Sequence, residues 1–216
     1  MAELLDGDAV RAWVGGFAVA FRAVRAELDE LDRQSGDGDF GSNLLSAIDR
    51  IEGELEGAPG AAAGEVFAAV SKAFMHAGGT SGPLFGVWFR EFARASADAG
   101  GLDRPGLARA VSDGLAAVVL LGHAQPGDKT MVDAIAPAAD VLGGAATERR
   151  ELRDDLAEAA AAARAGADAT ADLIARRGRA SYVGEVSRGV CDPGAVAVAM
   201  FFEAGSRTVT RERPEP

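Results

Sequence analysis

The sequence has little cysteine, little histidine and a deficit of positive charge. Cys191 is the only cysteine among 216 residues, so an intrachain disulfide is excluded and a reducing compartment is expected. Together with His76 and His123 it gives too few and too scattered ligands for zinc. Its 33 acidic and 22 basic residues give a formal net charge of −11, which argues against unassisted binding to nucleic acid or to an anionic membrane.

The sequence also lacks a targeting signal and a long apolar run. Its first residues, MAELLDGDAVRAW, open acidic and contain no basic n-region, so we expect no signal peptide. No apolar run approaches the roughly 20 residues of a membrane span. A cytoplasmic protein that does not bind membranes is therefore expected.

The apolar residues that are present follow helical spacing almost throughout. After a candidate N-cap at Asp6, steps of three and four residues join Trp13, Phe17, Phe21, Val24, Leu28 and Leu31 into one stripe. Further helices are predicted around 44–55, 66–77, 83–92, 107–122, 132–142 and 149–177, with Pro137 as a possible kink in the sixth, and an eighth from Asp192-Pro193.

The last of these helices contains AVAVAMFF, which alternates as a strand does, but the preceding Asp-Pro-Gly is typical of a helix start. No segment resembles a linker between domains, and only residues 206–216 are predicted to form a flexible tail. The sequence therefore predicts one all-α domain, residues 1–216, with about eight amphipathic helices. Trp13 and Trp88 lie on apolar stripes and are predicted to belong to its core.

Four junctions between the predicted helices are rich in Gly, Asp, Ser, Thr and Pro. They are SGDGDFGSN from Ser35, GGTSGPLFG from Gly78, GHAQPGDKTM from Gly122 and GRASYVGEVSRGVCDPGA from Gly178. Ordinary bundle loops need one Gly or Pro each, whereas many glycines let backbone approach a ligand. Helix N-termini after such loops offer free N–H groups to phosphate. Each loop alone is commonly structural, but four in one domain favour a binding site.

The first junction and Asp32, three positions before it, bring three carboxylates close together, those of Asp32, Asp37 and Asp39. A calcium-binding EF-hand loop is excluded, because counting from Asp37 puts Gly41 at the fifth ligand position and Ile48 at the twelfth. A cluster with oxygen ligands alone suits Mg²⁺, which takes a few carboxylates together with substrate phosphates. A turn and capping segment rich in Asp is the alternative that the pattern leaves open.

The third junction resembles a P-loop but fails its spacing. Asp128 separates Gly127 from Lys129, and no βαβ pattern surrounds the motif, so the lysine is not placed on phosphates. We expect Asp128, Lys129 and Thr130 to order this loop by local pairing and capping. Cys191, directly before the Asp192 cap, is interpreted as a packing residue rather than a nucleophile, and His76 as a surface residue at a helix end.

Five motifs, in one order, resemble the DhaL family, the nucleotide-binding subunit of dihydroxyacetone kinase. They are LDRQSGDGDFGSN, GGTSGPLFG, PGDKTMVDAIAPAA, GRASYVGE and DPGA, which span Leu31 to Ala195. The resemblance implies a barrel of eight antiparallel amphipathic helices with the nucleotide at one end. It also implies Mg²⁺, as two ions, with ADP or ATP.

Residue by residue, the resemblance assigns metal ligation to Asp32, Asp37 and Asp39. It assigns nucleotide contacts to Phe40, Gly41, Ser42, Asn43, Thr80, Ser81, Gly122, Met131, Arg179, Asp192, Pro193 and Gly194. Arg179 is also the candidate catalytic residue, because its charge persists at any working pH and suits the positioning and charge stabilisation of phosphoryl transfer. Many family members have His or Thr where this sequence has Phe40, so a proton relay through that side chain is not expected here.

The resemblance predicts that the terminal phosphoryl group passes to dihydroxyacetone, or a related ketose, held on a DhaK partner. The donor is either a phosphohistidine on a DhaM subunit, which rephosphorylates a tightly bound ADP, or free ATP. One alternative is a kinase domain for another substrate, a tetrose or a fatty acid. A second is a helical interaction module whose Asp loop binds cations without nucleotide.

Overall fold

The computed structural model describes residues 4–145 and 151–211, and these are almost entirely helical. The eight α-helices are α1 Gly7–Ser35, α2 Phe40–Glu56, α3 Ala63–Met75, α4 Ser81–Ala99, α5 Arg104–Gly122, α6 Val132–Ala145, α7 Leu152–Ala169 and α8 Pro193–Arg211. Three 3₁₀ turns, Thr170–Asp172, Arg179–Tyr182 and Gly184–Ser187, lie between α7 and α8. The prediction of an all-α fold with eight helices is confirmed.

The eight helices close into a barrel. Each helix packs against the next one along the chain, and α8 packs back against α1. The N-termini of α2, α4, α6 and α8 line one cleft at one end of the barrel, so neighbouring helices run antiparallel. At the other end two short strands, β1 Leu4–Leu5 and β2 Leu102–Asp103, pair antiparallel just before α1 and α5. These two strands were not predicted from the sequence.

Aromatic rings fill the inside of the barrel. The Phe201 ring on α8 stacks on Trp13 with centroids 4.5 Å apart, and Trp88 approaches it edge-on at 5.3 Å. Trp13 Nε1 donates to the Phe201 carbonyl oxygen at 2.7 Å, which satisfies a polar group that would be costly to bury unpaired. Both tryptophans are fully buried, as the sequence predicted. Truncating such a ring costs about 3–5 kcal/mol, so this cluster fixes α1, α4 and α8 together.

Two predicted boundaries were wrong. The seventh helix ends at Ala169 instead of Arg177, because the chain passes through a 3₁₀ turn to Leu173, which is extended. The tail predicted at 206–216 is helical as far as Arg211, because Val209 joins the buried core and Thr208 donates to the Ala204 carbonyl at 3.0 Å. Residues 149–150 of the predicted seventh helix and residues 212–216 of the tail lie outside the described residues.

Among the described residues, α5 is the one helix long and apolar enough to cross a membrane by length and composition alone. This differs from the expectation that no such run exists. The core helix of a soluble protein passes the same test. Its residues Leu107, Ala110 and Val111 lie fully buried in the barrel, but only 33% of the apolar window is buried and Leu120 is 76% exposed.

Candidate functional site

The glycine-rich junctions meet around one cleft at the end of the barrel where α2, α4, α6 and α8 begin. The cleft has a volume of about 170 Å³ and is lined by residues of all four junctions. Thirteen of the predicted site residues line it: Asp32, Asp37, Asp39, Phe40, Asn43, Thr80, Ser81, Gly122, Met131, Arg179, Asp192, Pro193 and Gly194. Residues far apart in sequence are thus brought to one place.

Gly41 and Ser42 are the two predicted site residues that do not line the cleft. A Cβ at position 41 would lie 2.4 Å from the Arg25 carbonyl oxygen, so the glycine lets α2 approach α1. Ser42 donates from its backbone N–H to Asp29 Oδ1 and from its hydroxyl to Asp29 Oδ2, both at 2.9 Å. These two positions therefore serve the α1–α2 contact, and their placement does not support a nucleotide contact.

Four helix N-termini face the cleft, those of α2, α4, α6 and α8. Each presents the positive end of a helix dipole, which favours phosphate, although side chains already accept several of the first backbone N–H groups. An antiparallel barrel places the starts of alternate helices at the same end, so the topology itself concentrates these N–H groups. The cleft thus gathers the positive ends of four helix dipoles in a protein of formal net charge −11.

The carboxylate of Asp32, at the end of α1, organises the turn into α2. Its Oδ2 accepts the backbone N–H groups of Gly38 at 2.9 Å, Asp39 at 3.0 Å and Phe40 at 3.2 Å. Gly38 has φ 79°, a left-handed conformation that costs glycine little. The capping interpretation is therefore correct for one oxygen of Asp32, and it does not account for Asp37 or Asp39.

The three acidic side chains form a cluster in which one oxygen from each lies within 4.8 Å of the others. The ligand set consists of oxygens alone, at a spacing that one or more hard divalent cations can bridge, and the charges repel unless a cation is near. The side chains of Asp37 and Asp39 are 43% and 48% exposed, so a cation and its water ligands have access. The residues present thus fit Mg²⁺.

Arg179 is the cation that meets this cluster in the structure. Its guanidinium forms an ion pair with Asp37 and lies 3.4 Å from Asp39 Oδ2. The residue begins a 3₁₀ turn on the long connection between α7 and α8, 140 positions from Asp39. The structure therefore places Arg179 beside carboxylates to which the resemblance assigns the metal.

The start of α4 forms a second wall of the cleft. The turn Gly78-Gly79 packs against Asn43, and a Cβ at position 78 would lie 2.9 Å from Asn43 Oδ1. Thr80 and Ser81 follow directly and line the cleft at the first turn of α4. Hydroxyls and N–H groups at this position can bind a phosphate oxygen together.

Phe40 contributes an apolar surface to the cleft. It begins α2, is 7% exposed and belongs to the hydrophobic core. An aromatic ring has no proton to relay, and this ring is packed into the hydrophobic core.

The loop after α5 contains a contact that the sequence did not predict. Asp128 and Thr130 order it locally, as expected: Asp128 Oδ2 accepts from Gln125 N at 3.1 Å, and Thr130 Oγ1 accepts from Val132 N at 3.2 Å. Lys129 lines the cleft but does not pair locally; its ammonium donates to backbone carbonyls of the α7–α8 connection. Arg177 lines the cleft too and was not predicted. The one sequence signal in this region was Lys129, which lies in a motif that resembles a P-loop but has the wrong spacing.

Asp192 lies at the start of α8 with its Oδ2 accepting the Ala195 N–H at 2.7 Å, as the predicted cap requires. Loss of hydration raises the pKa of its carboxyl to about 7, opposed by that hydrogen bond and by the charge of Lys129. Burial likewise raises the pKa of the neighbouring Cys191 thiol. A thiol with a raised pKa is a poor nucleophile at neutral pH, in agreement with the interpretation of Cys191 as a packing residue.

Comparison with known protein families and sequences gives a consistent result. A family model described as the DAK2 domain matches residues 34–207. The ADP-binding subunit DhaL of PEP-dependent dihydroxyacetone kinase 1 from Listeria innocua is 32% identical over 204 residues, 94% of this chain and 97% of that protein. The L-erythrulose 1-kinase of Mycolicibacterium smegmatis is 38% identical over 197 residues, 86% of this chain but 33% of that protein. The chain thus spans about a third of one relative and nearly all of the other.

Solved structures share the fold. The native dihydroxyacetone kinase of C. freundii superposes with a TM-score of 0.72 and 27% sequence identity, covering 96% of this chain and 36% of that chain. The same enzyme in complex with AMP-PNP and Mg²⁺ superposes with a TM-score of 0.69, covering 96% of this chain and 35% of that chain.

Proposed function

Since the chain belongs to the DhaL family, whose domain is the DAK2 domain, we propose that its cleft binds an adenine nucleotide with Mg²⁺ and donates the terminal phosphoryl group. The observation that carries the proposal is the convergence of four helix N-termini and the cluster of Asp32, Asp37 and Asp39 on one cleft. The C. freundii kinase, whose fold is shared, has been solved with AMP-PNP and Mg²⁺.

The chain's own residues would divide the work of phosphoryl transfer. The three carboxylates would hold the metal, which would supply positive charge to offset that of the phosphate groups. Thr80 and Ser81, at the start of α4, bind phosphate oxygens. Arg179 is close enough to the metal ligands to stabilise charge on the phosphoryl group as it leaves. The apolar cleft residues Phe40 and Met131 exclude water from the nucleotide.

We propose that the acceptor is dihydroxyacetone, or a related ketose, held on a DhaK-type partner chain. The Listeria innocua relative is itself named as a subunit of a PEP-dependent dihydroxyacetone kinase. By analogy the bound nucleotide would be ADP, rephosphorylated by a phosphohistidine on a DhaM-type subunit. With free ATP as donor, the same cleft would exchange its nucleotide on every turnover.

A second candidate is a kinase domain that acts on a tetrose. The observation in its favour is the 38% identity to L-erythrulose 1-kinase, which exceeds the 32% identity to the Listeria subunit. The cleft described here is the nucleotide side of the reaction, so both candidates share it and differ in the acceptor.

Calorimetry with the purified protein tests the shared part of the proposal. ADP with Mg²⁺ should bind, and either ligand alone should bind more weakly, since each completes the other's coordination. A cation that binds equally well whether or not nucleotide is present, with no nucleotide binding, would support a non-enzymatic cation module instead. The stoichiometry of Mg²⁺ in the same titration gives the number of ions.

Nucleotide analysis of the protein as purified separates the two donors. Tightly held ADP that does not exchange with added ATP favours the phosphohistidine route, whereas rapid exchange favours ATP. Assays with a DhaK subunit and either dihydroxyacetone or erythrulose then distinguish the two acceptors.

A further inference from the structure

Lys129 is one of two lysines in the chain, and its ammonium group is buried. The residue is 3% exposed and has φ 61°, a left-handed conformation that is uncommon outside glycine. Burial lowers the pKa of its ammonium, an effect that the charge of Asp192 opposes. Keeping an ammonium in such a place is costly, so its hydrogen-bond partners indicate what it does.

Its two partners are the two ends of a single loop. Lys129 Nζ donates to the carbonyl oxygens of Thr170 at 2.6 Å and Val190 at 2.5 Å. Residues 171–189 between them form what we call the Arg179 loop, which connects α7 to α8. Two direct bonds also join its ends: Gly189 N to Ala171 O, and Asp192 N to Thr170 Oγ1, both at 2.8 Å. Lys129, which is not part of the Arg179 loop, therefore holds the two ends of that loop together.

Much of the Arg179 loop is exposed, whereas Ala175 and Ser187 are buried and joined by a hydrogen bond. Tyr182 is 89% exposed and Val186 is 69% exposed. The neighbour of Lys129, Asp128, accepts the Arg176 N–H at 3.0 Å and Arg177 Nε at 3.2 Å. The position of the loop, and of the arginine it carries to the acidic cluster, thus depends on the loop after α5.

We propose that Lys129 is a positioning residue, which ties the ends of the Arg179 loop together so that Arg179 is held at Asp37 and Asp39. It acts through backbone carbonyls rather than on phosphate. The proposal deepens the proposed function and rests on it for the identity of the ligand. Its structural part concerns the free protein and stands or falls separately.

Limited trypsin digestion of the free protein tests the structural part. Arg176, Arg177, Arg179 and Arg188 provide cleavage sites within the loop. Lys129→Met keeps most of the length of the side chain and removes its donors, so the loop should be cut about tenfold faster, because proteolysis follows the population of the open state. The matched control is Lys72→Met, which removes the other lysine, on α3 and 66% exposed. Equal loop cleavage in the two variants would overturn the proposal.

Amine acetylation of the unmodified protein provides a measurement that does not depend on a variant folding. With only two lysines, mass spectrometry follows each one separately. Lys72 should react at once and Lys129 only as the loop opens, and Mg²⁺ with ADP should slow Lys129 further. Comparable reaction rates at the two lysines would show that the base of the loop is not closed.

A double-mutant cycle on Mg-ADP affinity tests the functional part. Lys129→Met should weaken binding about tenfold in the parent and little in an Arg179→Ala background, because the lysine acts through the arginine. Lys129→Arg, which keeps donors, should restore part of the affinity. Independent effects of the two substitutions, with the loop still protected, would instead place Lys129 directly on phosphate and overturn the proposal. A parent that binds no Mg-ADP would refute the proposed function, while the trypsin result would still decide the structural part.

Discussion

At Asp37 and Asp39 a metal site and a capping turn predict different responses to added ligands. Replacing either with Asn keeps the shape and removes a charge, so the rise in thermal midpoint that Mg²⁺ and nucleotide produce together should be largely lost. Without ligands the stability should change by less than about 1 kcal/mol, because relief of repulsion offsets the loss of an exposed ion pair with Arg179. Differential scanning fluorimetry measures both. An intact ligand-induced shift in both variants would refute the metal assignment.

Arg179 competes with a divalent cation for the same two carboxylates. Arg179→Ala should therefore tighten the binding of Mg²⁺ or Mn²⁺ measured without nucleotide, because the cation no longer displaces a guanidinium from Asp37 and Asp39. The same substitution should weaken Mg-nucleotide binding and phosphoryl transfer, for which the arginine supplies positive charge. Calorimetry measures both affinities: that for the metal alone should rise, and that for the Mg-nucleotide complex should fall. Arg188→Ala, on the same loop, is the matched control.

Asp192 makes the stability of the protein depend on pH. Its folded pKa is about 7 against 3.8 as the usual value, so its protonated form stabilises the fold at low pH. That stabilisation is lost as pH rises towards 7. Asp192→Asn keeps a capping oxygen for the Ala195 N–H but does not titrate.

The free energy of unfolding of this variant, relative to the parent, should rise by at most about 1.4 kcal/mol per pH unit between about pH 5 and 7. Above that range the difference should be constant. Urea unfolding of the ligand-free proteins at several pH values measures it. A difference that does not vary with pH would show that Asp192 stays ionised throughout.

At the level of helices and loops, what the sequence predicted correctly depends on local signals. The start of α1 was found because Asp6 caps it, with Asp6 Oδ1 accepting from Ala9 N at 3.0 Å, three residues away. The acidic cluster was found because its members lie within eight positions of one another. Both signals are contained in one short stretch.

What the sequence did not predict depends on contacts between distant segments. Directly after the end of α7, the Thr170 carbonyl accepts a hydrogen bond from Lys129, 41 positions away. Gly41 and Ser42 face α1 because α2 begins at Phe40. A match to a sequence motif does not show at which residue a helix begins. Composition and spacing thus predicted the elements and most of the site, whereas the long-range hydrogen bonds that position the Arg179 loop required the structure.

The start of α4 tests whether a helix N-terminus binds phosphate here. Ser81→Ala should leave the fold intact and weaken Mg-nucleotide binding by about 1–2 kcal/mol, the usual contribution of a hydrogen bond to a charged group. Ser112→Ala, at an exposed position of α5 outside the cleft, is the control. Titration calorimetry of both variants decides the matter, and equal affinities would remove Ser81 from the nucleotide site.

At the scale of the whole molecule, the acidic surface and the cleft act on a nucleotide in opposite directions. The formal net charge of −11 repels free ADP at long range, while the helix N-termini and Arg179 attract it inside the cleft. Salt screens the long-range repulsion between the acidic surface and ADP more than the short-range attraction inside the cleft.

The association rate of metal-free ADP should therefore rise as salt increases from about 0.01 M to about 0.15 M, over which the screening length falls from about 30 Å to about 8 Å. Mg-ADP carries less negative charge and should show a weaker dependence. Stopped-flow measurements with a fluorescent ADP analogue, in chelator and in Mg²⁺, compare the two. A rate for metal-free ADP that falls with salt would mean that the local positive field of the cleft dominates the approach. The metal would then be needed to hold the phosphates rather than to bring the nucleotide to an acidic protein.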